Sequence, residues 1–180
     1  VVGFDANPRR ATLLITLNER QRRYVQKDQW VAAATSPQPD WDPNATVRDL
    51  VDREWLIGRV SEVQPRVARV QLTTDPAFRA EVRAARVLAD GTWQIARESC
   101  VAVGFGGREL RITQATEDYF NLGYRIAVIP TGRDLAAPMT IGEIISAEPR
   151  NDSSQHFDLR VQPWGAATKL AHVYVLASEP

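Results

Sequence analysis

The sequence predicts an all-β protein built as two small β-barrel domains, the central one inserted in the outer one, with one short helix. Apolar and charged residues mix at a period near two in the central runs of the 180-residue chain, at Leu56, Gly58, Val60 and Val67–Val70, as half-buried strands require. The alternating runs are short, evenly spaced and separated by Gly, Pro, Asn and Asp, which is the pattern of a sandwich or of barrels. Only one stretch carries apolar residues at helical spacing.

The densest strand signal lies in Trp55–Asp75, WLIGRVSEVQPRVARVQLTTD. It holds two strand candidates, Leu56–Val63 and Val67–Thr73, joined across Gln64-Pro65-Arg66. Pro65 has no amide hydrogen for a ladder and belongs in the connection. Gly58 in mid-strand signals a bulge or a close backbone approach.

Before this stretch, Val1–Phe4, Thr12–Leu17 and Trp30–Thr35 read as strands, with Asp5-Ala6-Asn7-Pro8 as a turn. Glu19–Lys27 is polar and reads as a turn or one helical turn. Ser36–Asn44 carries Pro37, Pro39 and Pro43 and is a loop. Asn44 is placed to cap a helix with Val47, Leu50, Val51 and Trp55 on one face.

The middle continues with Phe78–Val87, Thr92–Arg97, Cys100–Phe105 and Glu109–Thr113, with Asp90-Gly91 as a hairpin turn. Helix propensity after Asp75-Pro76 favours a helix over the first of these. The alternation of Phe78, Ala80, Val82 and Ala84 favours a strand, which is the reading adopted. Tyr124–Pro130, Thr140–Glu148, Phe157–Gln162 and His172–Leu176 complete the set. Six candidates in the centre, with three before and four after, place a central barrel at 56–114 between the two halves of an outer one, 1–55 and 115–180. Each core is small enough that the two must pack together.

Hydrophobic residues at 44% and charged residues at 24% fit a folded chain. Lys plus Arg balances Asp plus Glu at 22 each. No long-range field then favours a polyanion, which argues against nucleic acid. Arg20, Arg22, Arg23 and Lys27 read as a solvated turn. Cys100 is the only cysteine, so no internal disulfide forms. No apolar run approaches the roughly 20 residues of a membrane span. A start at Val1, with no initiator methionine and no leader, reads as an excised soluble region, which leaves room for a membrane anchor outside it.

The sequence offers little to catalysis. Two barrels invite a double-β-barrel serine peptidase reading, in degenerate form. Its base would be His156 or His172, and Ser153, Ser154, His156 and Asp158 crowd one segment instead of converging from several. A lone cysteine entering an apolar strand reads as a core residue. One Cys and two His do not build a zinc site, and neither metal nor cofactor is expected. Gly104-Phe105-Gly106-Gly107 lacks the Lys-Ser or Lys-Thr of a phosphate loop and precedes a strand, so it reads as a hairpin. Binding through loops and strand edges remains. Trp41, in the proline-rich loop, is a candidate protein-contact anchor. The loop around Arg133, Asp134 and Leu135 is a second candidate.

Several segments in order resemble one family. VVGFDANPRRATLLITLNERQRRYVQKDQWVAA followed by WLIGRV is similar to the V-I-G strand, polar turn, L-T-I strand, G-V-x-x-G-x-x-V turn and L-V-G-R-V strand of MreC, the bacterial cell-shape family. ARVQLTTDPAFRAEVR resembles its L-L-T-D-P segment, and YRIAVIPTG, MTIGEI and FDLRVQPWGAATKLAHVYVL resemble its closing strands. Gln26 and Asp28 stand where the family has glycines, 36–54 is longer than its usual connection, and Val128-Ile129-Pro130-Thr131-Gly132 replaces V-V-T-S-G. The resemblance implies two β-barrels in the periplasm, held to the inner membrane by a missing N-terminal helix and coiled coil. It implies a non-enzymatic elongasome scaffold for peptidoglycan synthesis. Such a scaffold self-associates and binds a transpeptidase penicillin-binding protein, MreD and RodZ.

Overall fold

Thirteen strands and one helical turn follow one another among the described residues of the computed structural model, which are 3–4, 11–34, 54–88, 90, 92–116, 125–128, 135, 138–150, 153–164, 170 and 172–176. They are β1 (Gly3–Phe4), β2 (Thr12–Thr16), α1 (Glu19–Arg22), β3 (Trp30–Ala34), β4 (Glu54–Val63), β5 (Val67–Leu72), β6 (Arg79–Val87) and β7 (Trp93–Ile95). Then come β8 (Cys100–Gly104), β9 (Leu110–Ala115), β10 (Arg125–Val128), β11 (Met139–Arg150), β12 (Ser153–Pro163) and β13 (Tyr174–Val175).

Strand pairing sorts them into two sheets. The first has the order β1-β2-β5-β4-β3-β13, and the second β10-β11-β12-β9-β8-β6-β7. β10 also pairs with β6, so the second sheet closes on itself. The chain starts and ends in the first sheet, with the second nested between. The sheets divide the chain within 73–78 and 164–173, however, not at 55/56 and 114/115. β4 and β5 belong to the first sheet because β5 finds β2 on its far side, with Leu13 against Val70 and Ile15 against Ala68.

Each sheet has a core, and β3 serves both. Val31 and Ala33 join Leu13, Ile15, Val60, Val70 and Leu72 in the first core. Trp30 and Ala32, one residue out of phase, point the other way into the second core with Phe78, Leu110, Ile112, Ile144 and Leu159. A strand buried on both faces must be apolar throughout, which is why β3 reads Trp-Val-Ala-Ala-Ala. Trp30 meets Phe78 edge-on at 6.2 Å, and the Arg59 guanidinium lies 3.9 Å over its ring.

Gly58 does both things expected of it. Val31 pairs with Gly58 but Ala32 with Leu56, so Ile57 is the extra residue of a bulge. A Cβ on Gly58 would lie 2.1 Å from the carbonyl oxygen of Gln71, too close for any side chain. Pro65 sits in the β4–β5 turn, closed by the Gln64 amide donating to the Val67 carbonyl at 2.8 Å. β6 is a strand despite its helical propensity, since Ala80, Val82 and Ala84 face the core while its backbone pairs with β8 and β10.

The helical turn is α1. Asn18 accepts from the Gln21 amide at 2.8 Å, and the Gln21 side chain accepts from the Asn18 amide at 2.9 Å, a reciprocal cap. The helix expected after Asn44 lies outside the described residues, except that Trp55 stands in β4. Asp28, where the resembled family has a glycine, adopts φ +70. That conformation favours glycine, so Asp28→Gly is expected to raise stability by about 0.5–1 kcal/mol, read as a higher urea midpoint at unchanged slope.

The crossing between sheets is set by Asp75, 2% exposed. One carboxylate oxygen accepts from the Ala11 amide at 2.9 Å. The other accepts from the Ala77 amide at 2.8 Å and the Gln71 amide group at 3.0 Å. Its backbone carbonyl takes the Phe78 amide at 2.8 Å. Gly104 lies so close that a Cβ there would sit 1.9 Å from that carbonyl oxygen. Asp75→Ala would leave three part-buried amide donors without their acceptor and should cost about 1–3 kcal/mol in chemical denaturation.

Candidate interaction surface

Of the contact residues expected from sequence, Trp41, Arg133 and Asp134 lie outside the described residues. Leu135 does not present its side chain to a partner. It is 6% exposed and belongs to the second core, among Trp30, Phe78 and Ile141. Loop composition on its N-terminal side hid an apolar residue that plugs the barrel.

The segment considered for a peptidase triad is one strand. Ser153, Ser154, His156 and Asp158 all lie in β12. The Asp158 carboxylate is directed to Arg150, 3.9 Å away on β11. Cys100 is half-buried, packs on the second core and points its thiol at the Val82 carbonyl, 3.7 Å away, as a core cysteine does. The Gly104–Gly107 stretch is the expected hairpin, with Gly106 and Gly107 at φ +82 and +59. Among the described residues no group of three or more His, Cys, Asp or Glu is arranged to hold a metal ion, and no helix is long and apolar enough to cross a membrane.

What the surface of the second barrel does present is an apolar stripe. On β8, Ala102 and Gly104 face the core, so Val101 and Val103 face out, and Phe105 continues on the same side. Val101 is 51% and Phe105 53% exposed. Pairing sets Val103 opposite Arg79 on β6 and opposite Arg111 on β9. The Arg111 guanidinium lies 3.3 Å over the Phe105 ring, fixing ring and charge together. The sequence held a signal for this surface. Cys100–Phe105 is apolar at every position, whereas a strand with one wet face should alternate.

Further round the same wall, Arg160 on β12 grips Glu109 beside β9. Its Nε donates to one carboxylate oxygen at 3.1 Å and its Nη2 to the other. This bidentate hydrogen bond holds the Glu109 carboxyl below the usual glutamate range, with the charge of Arg160 acting in the same direction. The stabilisation it gives is complete above the unfolded-state value and is lost as acid protonates the folded carboxylate. Glu109→Gln is therefore expected to flatten the fall in melting temperature on moving from neutral into acid pH.

Two curled antiparallel sheets, the second inserted in the first along the chain and the two sharing a strand buried on both faces, define an all-β double-barrel class, and comparison with known proteins gives the family. The model of the family described as rod shape-determining protein MreC, barrel core, matches residues 4–177, and the chain belongs to that family. MreC from Pseudomonas aeruginosa superposes with a TM-score of 0.61 at 20% identity, covering 90% of this chain and 86% of that one. MreC from Listeria monocytogenes gives 0.65 at 19% identity, covering 99% and 73%. The major periplasmic domain of the cell shape-determining filament MreC gives 0.57 at 16% identity, covering 91% and 84%. No curated protein matches the chain by sequence.

Proposed function

We propose that the chain is a non-enzymatic scaffold acting outside the cytoplasmic membrane, where it organises peptidoglycan synthesis during cell elongation. The observation that carries this reading is the family match over 4–177, nearly the whole chain. The scaffold works by protein–protein contact: it binds a transpeptidase penicillin-binding protein, meets the membrane partners MreD and RodZ, and associates with itself. A membrane anchor preceding the barrels holds it at the inner membrane. Trp41, Arg133 and Asp134 are proposed contacts, with Trp41 the anchor because a tryptophan in a proline-rich loop offers a large rigid surface at low entropic cost.

The test is direct binding of the chain to a transpeptidase penicillin-binding protein from the same cell, by calorimetry or interferometry. Saturable binding is expected, and Trp41→Ala should weaken it by about 1–4 kcal/mol. Absence of binding would remove that partner. The peptidase alternative is tested with a fluorophosphonate probe and a peptide-substrate screen. Silence supports the scaffold, and turnover abolished by His156→Ala would replace it.

A further inference from the structure

We propose that the end of the first sheet capped by α1 binds a polymer of sugars bearing acidic peptides, the chemical class of peptidoglycan, through a cationic loop and the ring of Tyr24. This deepens the scaffold reading and rests on its placement outside the cytoplasmic membrane. The chain would touch the wall polymer itself as well as the proteins that make it.

The loop from Asn18 to Asp28 is fastened to that end by backbone bonds on both sides. The Leu17 amide donates to the Arg66 carbonyl in the β4–β5 turn at 2.9 Å, and the Asp28 amide to the Val60 carbonyl at 2.8 Å. Val25 packs on the first core. Inside the loop, the Gln26 amide donates to the Gln29 side chain at 2.8 Å, and that side chain donates to the Tyr24 carbonyl at 3.0 Å. These bonds and the reciprocal cap of α1 are made by Asn18, Gln21 and Gln29, so the charged side chains are not engaged in holding the loop.

What this end leaves in solvent is cationic. Arg20, Arg22, Arg23 and Lys27 on the loop and Arg66 on the adjoining turn are all exposed. None of their side chains makes an ion pair or hydrogen bond among the described residues. The carboxylates here are Glu19 and Asp28, since Glu62 is turned to Arg69 at 3.9 Å and to the Gln64 side-chain amide at 2.9 Å. Five cations against two carboxylates make a local positive excess in a chain of zero net charge. The fold gains nothing from it, because like charges one helical turn apart repel. Arg20 and Arg23, so spaced, line an open depression of about 620 Å³ with Asn18, Glu19 and Tyr24. Tyr24 is 63% exposed, more than any other large hydrophobic residue exposed among the described residues.

These features select the ligand. One exposed cation–carboxylate contact is weak, so the partner must present several acids at once, as a polymer does. A tyrosine bordered by guanidinium groups suits a sugar whose apolar face stacks on the ring while the acids of its peptide side chains reach the arginines. A membrane surface suits it less. Tyr24 is the one aromatic between Asn18 and Asp28, and no Trp, Phe or Leu stands within the loop to enter the acyl region.

The experiment is co-sedimentation of the 180-residue chain with protein-free peptidoglycan sacculi. Binding is expected at about 50 mM salt and should fall by about threefold or more at about 500 mM, as screening of exposed charges requires. The double variant Arg20→Glu, Arg23→Glu should bind at least about tenfold more weakly, and Tyr24→Ala about threefold or more, at unchanged melting temperature. Sacculi whose carboxyls have been converted to neutral amides should release the chain. Arg108→Glu, a reversal at an exposed arginine between β8 and β9, should bind like the wild type. Should the double variant fail to fold, Arg20→Gln with Arg23→Gln takes its place, with a loss in the same direction.

A wild-type chain that stays in the supernatant at about 50 mM salt would overturn the proposal. So would binding that ignores salt or amidation, a double variant or Tyr24→Ala that binds like the wild type, or an equal loss in Arg108→Glu. Equal or tighter binding to vesicles of phosphatidylcholine and phosphatidylglycerol in about equal parts would also overturn it and assign the surface to lipid. A chain that leaves sacculi alone but binds the penicillin-binding protein overturns this surface and leaves the scaffold reading standing. A chain held by sacculi through Arg20 and Arg23 that binds no such protein supports this surface and removes that partner.

Discussion

The buried carboxylate of Asp75 fixes where the chain leaves one sheet and enters the other. Its oxygens are taken by amides from Ala11, Gln71 and Ala77, and its carbonyl by Phe78. A carboxylate 2% exposed is tolerated because hydrogen bonds replace the water it has lost. Those same bonds tie the start of β2, the end of β5 and the start of β6 into one knot. Phe78 is thereby delivered against Trp30, and the β8–β9 hairpin folds over the crossing through the Gly106 amide and Thr74 carbonyl.

This crossing gives rise to the two cores. Trp30, Ala32 and Leu56 come from the first sheet but are packed in the second core, so the second barrel is completed by residues of its neighbour. Neither sheet is an independent unit in the sense of burying its own apolar surface. The nested order of the chain and the shared core are two expressions of one arrangement.

Strand positions are legible in the sequence because a period of two and a turn residue are local signals. The strands around Pro65 and Asp90 and the bulge beside Gly58 can all be read from neighbours in the chain. Partners cannot. Nothing local to Val67–Leu72 says that its second neighbour is Thr12–Thr16, and so the sequence alone places β4 and β5 in the wrong sheet. Leu135 is misplaced for a related reason: a Thr-Gly-Arg-Asp run marks a loop but carries no sign that the next side chain turns into a core. The outer stripe of β8 escapes notice because an apolar run reads equally as a strand covered on both faces. Trp41, Arg133 and Asp134 lie outside the described residues.

The strand order also constrains how the molecule assembles. Among the described residues, the seven strands of the second sheet come from one contiguous stretch, whereas the first sheet receives β13 from residues 174–175, after it. During synthesis, five of the first sheet's strands emerge early, then wait while the whole second barrel is made. Throughout that wait the edge of β3 and the Trp30 carbonyl, which finally takes the Leu176 amide, stand open. The last strand therefore acts as a closing seam, and a nascent chain halted before Tyr174 would display an apolar edge of the kind that chaperones and neighbouring strands recognise.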